Sequence, residues 1–423
     1  MRPLKLAVLA LAAASAIVAV PGCRPKETGP LMEAIPADYD RQLPPGLLAL
    51  RKITDLAQIP DFTPACANLA GLKEAIAHSL NYLSKASSQR AFPYGEITHQ
   101  QAVDSLRAFQ ALLEAPMSAP QMNQAIRQRF DVYTSVGWDD RGTVLFTGYY
   151  TPIFDGSLAA EGRFNQPLYK PPADLVKGPD GEILGARGAD GQLTKLPDRR
   201  AIEQAGMYRG NELAYLGDPF EVYIAHVQGS ARLRLADGTM RTVGYTANNG
   251  HDYVSVNREL VRDGKIPKDK ISLGAMIDYF RAHPEQVRPY TWRNPRFVFF
   301  AFSDDESPRG SLNEPVTVMR TIATDKSIYP RACLAMLAAP LPRRTQAGIV
   351  LSSYSGFALD QDTGGAIRAP GRCDLYMGIG DEAGELAGRT VQPGRLYYLF
   401  LKPGARSPAV LPQATQPSAP PQD

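Results

Sequence analysis

Cysteine, histidine and charge of one sign are all scarce in this sequence, and each scarcity closes off a class of function. Lysine and arginine number 46 against 43 aspartates and glutamates, a formal charge of +3. No basic field is built for nucleic acid, and none is expected as a partner. The five histidines are scattered and none forms H-E-x-x-H, so neither a catalytic metal nor any other cofactor is expected. The four cysteines lack C-x-x-C spacing. No repeat of fixed period runs through the chain. Long apolar runs are also missing, with one exception at the start.

That exception is "MRPLKLAVLALAAASAIVAVPGC". Arg2 and Lys5 form a basic head, the apolar stretch from Leu6 to Val20 is short for a bilayer span, and Pro21-Gly22-Cys23 follows. The pattern predicts a signal peptide over residues 1–22 and lipidation of Cys23, with plain secretion and nearby cleavage as the alternative. Several acyl chains on Cys23 would hold the protein stably where a single chain gives marginal binding. Arg24 after the cysteine resembles lipoproteins sorted to the outer membrane, which places the chain at its periplasmic face. Residues 23–44, rich in proline and charge, read as a tether, and residues 404–423 as a disordered tail. With Cys23 set aside, Cys66, Cys333 and Cys373 remain. Cys333 and Cys373 could pair in an oxidising periplasm, but connectivity is not readable from sequence.

Three helices are predicted by apolar steps of three and four. They carry Leu69, Leu72, Ile76, Leu80 and Leu83, then Val103, Leu106, Phe109 and Leu113, then Met122, Ile126 and Phe130. The character then turns to strand. "GTVLFTGYYTPIF" reads as a strand leaving into a Gly-Tyr-Tyr-Thr-Pro turn. "EVYIAHVQGSARLRLADGTMRTVGYTA" alternates about a hairpin at Asp237-Gly238. Short helices are expected at 257–263 and from Ser272, whose hydroxyl can cap "LGAMIDYFRAH" before Pro284 stops it. "RFVFFAF" reads as a buried strand. Residues 316–402 read as strands and turns with little helical periodicity.

Within that region "DTGGAIRAPGRCDLYMGIG" spans Asp362 to Gly380. Gly364 and Gly365 would allow a tight turn beside Asp362. If "CDLY" is a strand, Asp374 and Tyr376 share one face and Cys373 and Leu375 the other. With Leu375 in a core, Asp374 would look into a groove, half-sheltered by an aromatic ring. Shelter raises a carboxyl pKa, as a general acid requires. An Asx-turn pair stabilising a β loop explains the same residues equally well.

Together with "ATDKSIYPRACLAML", the stretch resembles the 3D domain, named for three aspartates, here Asp325, Asp362 and Asp374. "LFTGYYTPIFDGS", "VQGSARLRLADG", "VGYTANNGHDYVSVNRELVRDG" and "NPRFVFFAF" extend the likeness over residues 69–402, in order. The whole resembles the membrane-bound lytic murein transglycosylase A family. The resemblance implies a mainly β protein with N-terminal helices. A double-psi β-barrel would be built from residues 45–150 and 307–403, with the 3D domain at about 317–402. A second β-rich, substrate-binding domain, residues 151–306, would be inserted between them and leave a groove for a glycan strand. It implies a lytic exotransglycosylase that cleaves the β-1,4 bond between N-acetylmuramic acid and N-acetylglucosamine in peptidoglycan. The product carries a 1,6-anhydro end, and one aspartate acts as acid and then base. Asp374 would be that residue and Asp362 a supporting one. Asp325, in "TDKS", reads as a turn residue.

Tyr149, Tyr150, Thr151, Gln228, Ser230, Asn248, Tyr253, Ser255 and Tyr376 lie in the matching blocks and are candidates for sugar contact. Glycine-flanked polar turns are just as readily structural. The sequence departs from the family pattern at Ala369-Pro370-Gly371, which lengthens the loop between the aspartates. The expected partners are peptidoglycan glycan strands and the outer membrane through the lipid, with a monomer working alone or in cell-wall synthesis or hydrolysis complexes. Two other classes stay open. One is a hydrolase of the same architecture with a second carboxylate from Asp362, Asp304 or Asp305. The other is a non-catalytic peptidoglycan-binding lipoprotein. Cys23→Ala should leave the processed chain soluble in the periplasm. Its recovery with the outer membrane at the wild-type level would show that lipid is not the anchor.

Overall fold

The computed structural model describes residues 37–178, 181–268 and 270–405. Residues 1–36, which hold the signal sequence and Cys23, and nearly all of the tail lie outside the described residues. No helix among those described is long and apolar enough to cross a membrane.

The three amphipathic stretches fold as Leu72–Ser84, His99–Glu114 and Ala119–Arg129. Thr98 Oγ1 caps the second by accepting from Gln101 N at 3.1 Å, and Ser118 with Gln121 forms a capping box on the third. Their inner faces, including Ile76, Leu106, Phe109 and Ile126, are fully buried against a β-barrel.

Six strands close that barrel. They run in the order Thr143–Thr151, Val391–Leu401, Leu334–Thr345, Gly348–Asp362, Thr321–Ala323 and Arg372–Ile379, and the last pairs back onto the first. Closure leaves no free edge in the ring. Phe146, Ile322, Leu334, Leu359, Cys373, Leu375 and Leu399 are buried and belong to the core shared by barrel and helices. Strand Phe130–Ser135 extends the sheet from Val391–Leu401.

Between Thr143–Thr151 and Thr321–Ala323 the chain builds a second sheet of six strands. Its order is Val298–Ser303, Met240–Asn248, Ser230–Arg234, Ile153–Ser157, Glu212–Leu216 and Gln166–Tyr169. A three-stranded sheet of Leu175–Lys177, Ile183–Arg187 and Leu193–Thr194 accompanies it. The hairpin at Asp237-Gly238 forms, with Gly238 at φ +82° and Asp237 Oδ1 accepting from Thr239 N at 2.9 Å. "RFVFFAF" is a buried strand, and helices Val256–Arg262 and Leu273–Ala282 stand where expected. Ser272 Oγ caps the latter, accepting from Ala275 N at 3.1 Å.

Three local expectations fail for identifiable reasons. Gly-Tyr-Tyr-Thr-Pro is no turn: the strand runs on to Thr151, held by parallel pairing with Arg372–Ile379. It breaks at Pro152, which has no N–H for a ladder. The first half of "EVYIAHVQ" looks strand-like but lies in helix Pro219–Gln228. Asp218 caps that helix through Phe220 N at 2.7 Å, proline sits in its first turn and left-handed Gly229 ends it. The segment 316–402 also contains helix Asp381–Arg389, only nine residues long and carrying Gly384 and Gly388, which lower its helix propensity although Ala383, Leu386 and Ala387 face the core.

Helices and barrel are joined by buried polar groups as well as by apolar packing. Arg320, 2% exposed, donates to the carbonyls of Ala70, Phe357 and Asn68 and to Asn68 Oδ1, all at 2.8–2.9 Å. Arg320→Ala strands these acceptors, and each buried orphan costs about 1–3 kcal/mol. The variant should lose at least ~3 kcal/mol in urea unfolding, and a loss below ~1 kcal/mol would show that water replaces the guanidinium. The thiols of Cys66, Cys333 and Cys373 are free and buried, and burial pushes each above its ordinary pKa. Cys373→Ser puts a hydroxyl into that core and should destabilise by about 1–3 kcal/mol with turnover of the folded fraction retained. Full stability with lost turnover would put Cys373 in the site.

Candidate active site

Barrel register decides which side chains meet. Asp374 lies opposite Thr147 on one side and Ala323 on the other, and Ala323 lies opposite Asp362. Cross-strand partners share a face, so Thr147, Asp374, Ala323 and Asp362 form a row over four neighbouring strands. Their chain neighbours Phe146, Leu375 and Cys373 are fully buried inside the barrel, which puts the row on its outer face. Two strand spacings of ~4.8 Å separate the aspartates, about 10 Å between Cα atoms.

The two carboxyls differ in how they are held. Thr147 Oγ1 donates a hydrogen bond to Asp374 Oδ1. Burial lifts the Asp374 carboxyl above its ordinary pKa, while the charge of Arg372 and the Thr147 hydrogen bond draw it partly back. Asp362 accepts three hydrogen bonds, from Tyr149 Oη at 2.9 Å and from the backbone N–H groups of Ser311 and Thr363, both at 2.8 Å. Its pKa is also raised by burial, against the pull of those donors. Asp325 makes the turn its sequence suggested, with Oδ1 accepting from Ser327 N at 3.0 Å and from its hydroxyl at 2.6 Å. Asp305 pairs with Arg309 at 2.7 Å, and Asp304 is exposed.

The loop between the aspartates is fixed despite its added residues. The Pro370 carbonyl accepts from Ser135 Oγ at 3.1 Å and Tyr329 Oη at 2.8 Å, and Ile367 and Ala369 are buried. Asp374 therefore keeps its register with Thr147. Gly364 and Gly365 stand in the tight turn that the sequence allowed, Ile367 N donating to the Gly364 carbonyl at 3.0 Å, with neither glycine at positive φ. Gly365 lies close against the inserted lobe, since a Cβ there would stand 3.3 Å from Tyr253 Cβ and Arg296 Nε, tighter than an ordinary contact.

A cavity of about 280 Å³ opens between barrel and inserted lobe. Thr147, Gly148, Tyr150, Gln228 and Tyr253 line it, with Phe220, Tyr223, Ile224 and Val227 from the Pro219–Gln228 helix. Gln228 Oε1 accepts from Tyr150 N at 3.1 Å. Thr151, Ser230 and Tyr376 are buried, and their hydroxyls meet one another, Thr151 Oγ1 lying 3.2 Å from Ser230 Oγ and 2.9 Å from Tyr376 Oη. The Tyr376 ring packs 5.2 Å from that of Tyr149. Asn248 is bonded to Tyr245 and Gly250, and Ser255 accepts from Arg258 N at the start of its helix. The structure thus gathers Asp374, Asp362, Tyr149 and Tyr376 on adjoining strands and leaves Asn248 and Ser255 engaged in local turns. Thr147 and the apolar helix wall are additions. Thr147 sits in a block already marked by the sequence, but nothing there links it to a residue 227 positions away.

Residues 145–301 match the family described as "MltA specific insert domain" and residues 320–400 the "3D domain". The chain is 31% identical over 278 residues to membrane-bound lytic murein transglycosylase A of Escherichia coli K12, covering 65% of this chain and 70% of that protein. To the enzyme of the same name from Vibrio cholerae it is 29% identical over 363 residues, 82% of this chain and 91% of the other. A membrane-bound lytic murein transglycosylase from Agrobacterium tumefaciens superposes with TM-score 0.69 at 25% identity, covering 84% and 98% of the two chains. E. coli MltA with bound chitohexaose superposes with TM-score 0.62 at 26% identity, covering 87% and 98%. With the barrel, the inserted lobe and both domain patterns in one chain, this protein belongs to the membrane-bound lytic murein transglycosylase A family.

Proposed function

We propose that this chain is a peptidoglycan lytic transglycosylase whose general acid is Asp374, working from a double-psi barrel in a groove roofed by the inserted lobe. The observation that carries the reading is the state of Asp374. It is half-buried on the outer barrel face, bonded to a hydroxyl that lines the interlobe cavity, and biased by burial toward the protonated form. The relative crystallised with chitohexaose supports a chain of N-acetylated sugars as the ligand class.

In this reading Asp374 gives its proton to the leaving oxygen as the bond from muramic acid C1 to the N-acetylglucosamine oxygen breaks. The muramic acid O6 then attacks C1, and its proton passes to the Asp374 carboxylate, which restores the acid. An internal hydroxyl competes well with water, because effective molarities reach the order of 10⁵ M or more. A hydrolase needs a second carboxylate at a suitable distance to activate water or attack carbon. Asp362 is committed to three donors and Asp305 to Arg309, which favours the one-acid route. Asp362 supports the site by holding Tyr149, and Tyr149, Tyr150, Gln228 and Tyr253 are the sugar-contact candidates nearest the cavity. The names of the relatives support a membrane-associated location, here the periplasmic face of the outer membrane through lipid on Cys23.

Digestion of sacculi followed by mass spectrometry tests the reading. Anhydro ends support it, reducing ends indicate a hydrolase, and bound but intact sacculi indicate an anchor. Asp374→Asn keeps shape but cannot deliver a proton and should lose a factor of roughly 10² to 10⁴ in rate. Asp362→Asn should lose less, since Tyr149 can still donate to an amide oxygen. Because the protonated acid is the active form, activity should be full at low pH and fall as pH rises through the raised Asp374 pKa. A folded Asp374→Asn protein that releases anhydro fragments at the wild-type rate would sink the assignment.

A further inference from the structure

Arg372 precedes Asp374 by two positions in one strand. Both side chains therefore stand on the outer face, with Cα atoms about 7 Å apart. A guanidinium so placed favours the carboxylate, which is the wrong form for a proton donor. It is also poorly screened, its side chain being only 13% exposed. What occupies it comes from the other end of the chain. Asp40 Oδ1 accepts from Arg372 Nη1 at 2.9 Å, and Asp40 Oδ2 accepts from Arg258 Nη2 at 2.5 Å. Arg258 belongs to helix Val256–Arg262 of the inserted lobe, so one carboxylate joins both lobes beside the candidate acid.

The segment that brings Asp40 there is built in. The Tyr39 ring meets Trp138 edge-on at 5.8 Å, and Arg41 pairs with Asp140 at 2.7 Å. The Tyr39 backbone lies against Gly371, where a Cβ would come within 2.7 Å of its carbonyl oxygen. Only glycine admits this approach directly before Arg372. Burial alone would push the Asp40 carboxyl up, but Arg258 and Arg372 outweigh it and hold it below its ordinary value, so it is an anion at neutral pH. Of the other titratable groups that act here, Lys326 and Asp360 pair with each other inside the barrel and Asp362 is held by three donors, while Tyr149, Cys373 and Tyr253 are neutral. Thr147 bonds the Asp374 carboxyl, Tyr149 and Cys373 are coupled to Asp374, and Tyr253 stands near Arg258 and Arg372. Burial pushes both phenols and the thiol above their ordinary values. Among the described residues Asp40 is the anion in contact with Arg372.

We infer that Asp40 is a positioning residue: it ties the Arg372 guanidinium and Arg258 of the inserted lobe to one carboxylate, limits the pull of Arg372 on Asp374, and so lets Asp374 enter the reaction as a proton donor. The inference rests on the reading of Asp374 as the acid. The test is the pH profile of kcat/KM for the full chain on sacculi, whose alkaline limb reports that acid. Asp40→Asn frees Arg372 and should move the limb down by about one pH unit, with the rate kept on its acid side. Asp40→Glu should restore the limb. Arg372→Gln should move it up, and Asp40→Asn added to Arg372→Gln should move it no further. An unmoved limb in Asp40→Asn, whatever uniform loss of rate accompanies it, overturns the inference. Should Asp40→Asn fail to fold by circular dichroism, Arg372→Gln decides alone, and a limb that does not rise overturns it. Failure of the acid assignment is distinguishable, because Asp374→Asn would then turn over normally. An inactive Asp374→Asn beside an unmoved limb removes only the role of Asp40.

Discussion

Everything at the candidate site depends on one closure. Strand Val391–Leu401 pairs with Thr143–Thr151 so that Val391 lies opposite Thr147, sealing a ring whose other side already sets Thr147 opposite Asp374. A slip of one residue in either pairing would turn Thr147 inward and bring a core residue outward. The penalty for that slip is large, because Phe146, Leu375 and Cys373 are fully buried on the inner face. Hydrophobic burial inside the barrel thus fixes a polar contact outside it. The geometry of the candidate acid is a by-product of core packing.

Three aspartates on this barrel, Asp360 buried and Asp362 and Asp374 half-buried, show how hydrogen bonding divides labour among chemically identical groups. Asp360 lies inside, bonded to Lys326 and to the hydroxyls of Tyr398 and Thr324 at 2.6 and 2.7 Å, and so forms a satisfied polar cluster. Asp362 accepts from three neutral donors, which favour its charged form and hold it in place. Asp374 keeps one hydroxyl donor and the pull of a single guanidinium that is itself engaged elsewhere. Burial acts on all three alike. The count of donors sets them apart, and the least supported carboxylate is the one best suited to carry a proton.

Much of this was legible in the chain, and what was not has a common cause. The N-terminal helices, the Asp237-Gly238 hairpin and the Ser272 cap are local patterns, and local patterns survive folding. Helix Pro219–Gln228 was misread because Val222, Tyr223 and Ile224 resemble a strand, while its signals, Asp218-Pro219 before and Gly229 after, sit at the ends. Asp374 and Asp362 were marked as candidates by their motif. Thr147 and Asp40 were not, since their contacts span 227 and 332 positions and exist only once the ring has closed. Asp40 carries a further handicap, for it sits in a stretch whose proline and charge read as a tether.

Helix Pro219–Gln228 of the inserted lobe lines the cavity with an apolar wall of Phe220, Ile224 and Val227, which shares it with Thr147. Such a wall does two things at once. On the proposed route it would limit the water that reaches Thr147 and the Asp374 carboxyl bonded to it, which disfavours the anion. There it would also limit the water that reaches the sugar carbon, leaving the nucleophile that the substrate carries. On the proposed route these are one property, not two: the dryness that makes an aspartic acid a donor near neutral pH is the dryness that favours an internal hydroxyl over hydrolysis. A single carboxyl suffices where the surroundings remove the task a second one would perform.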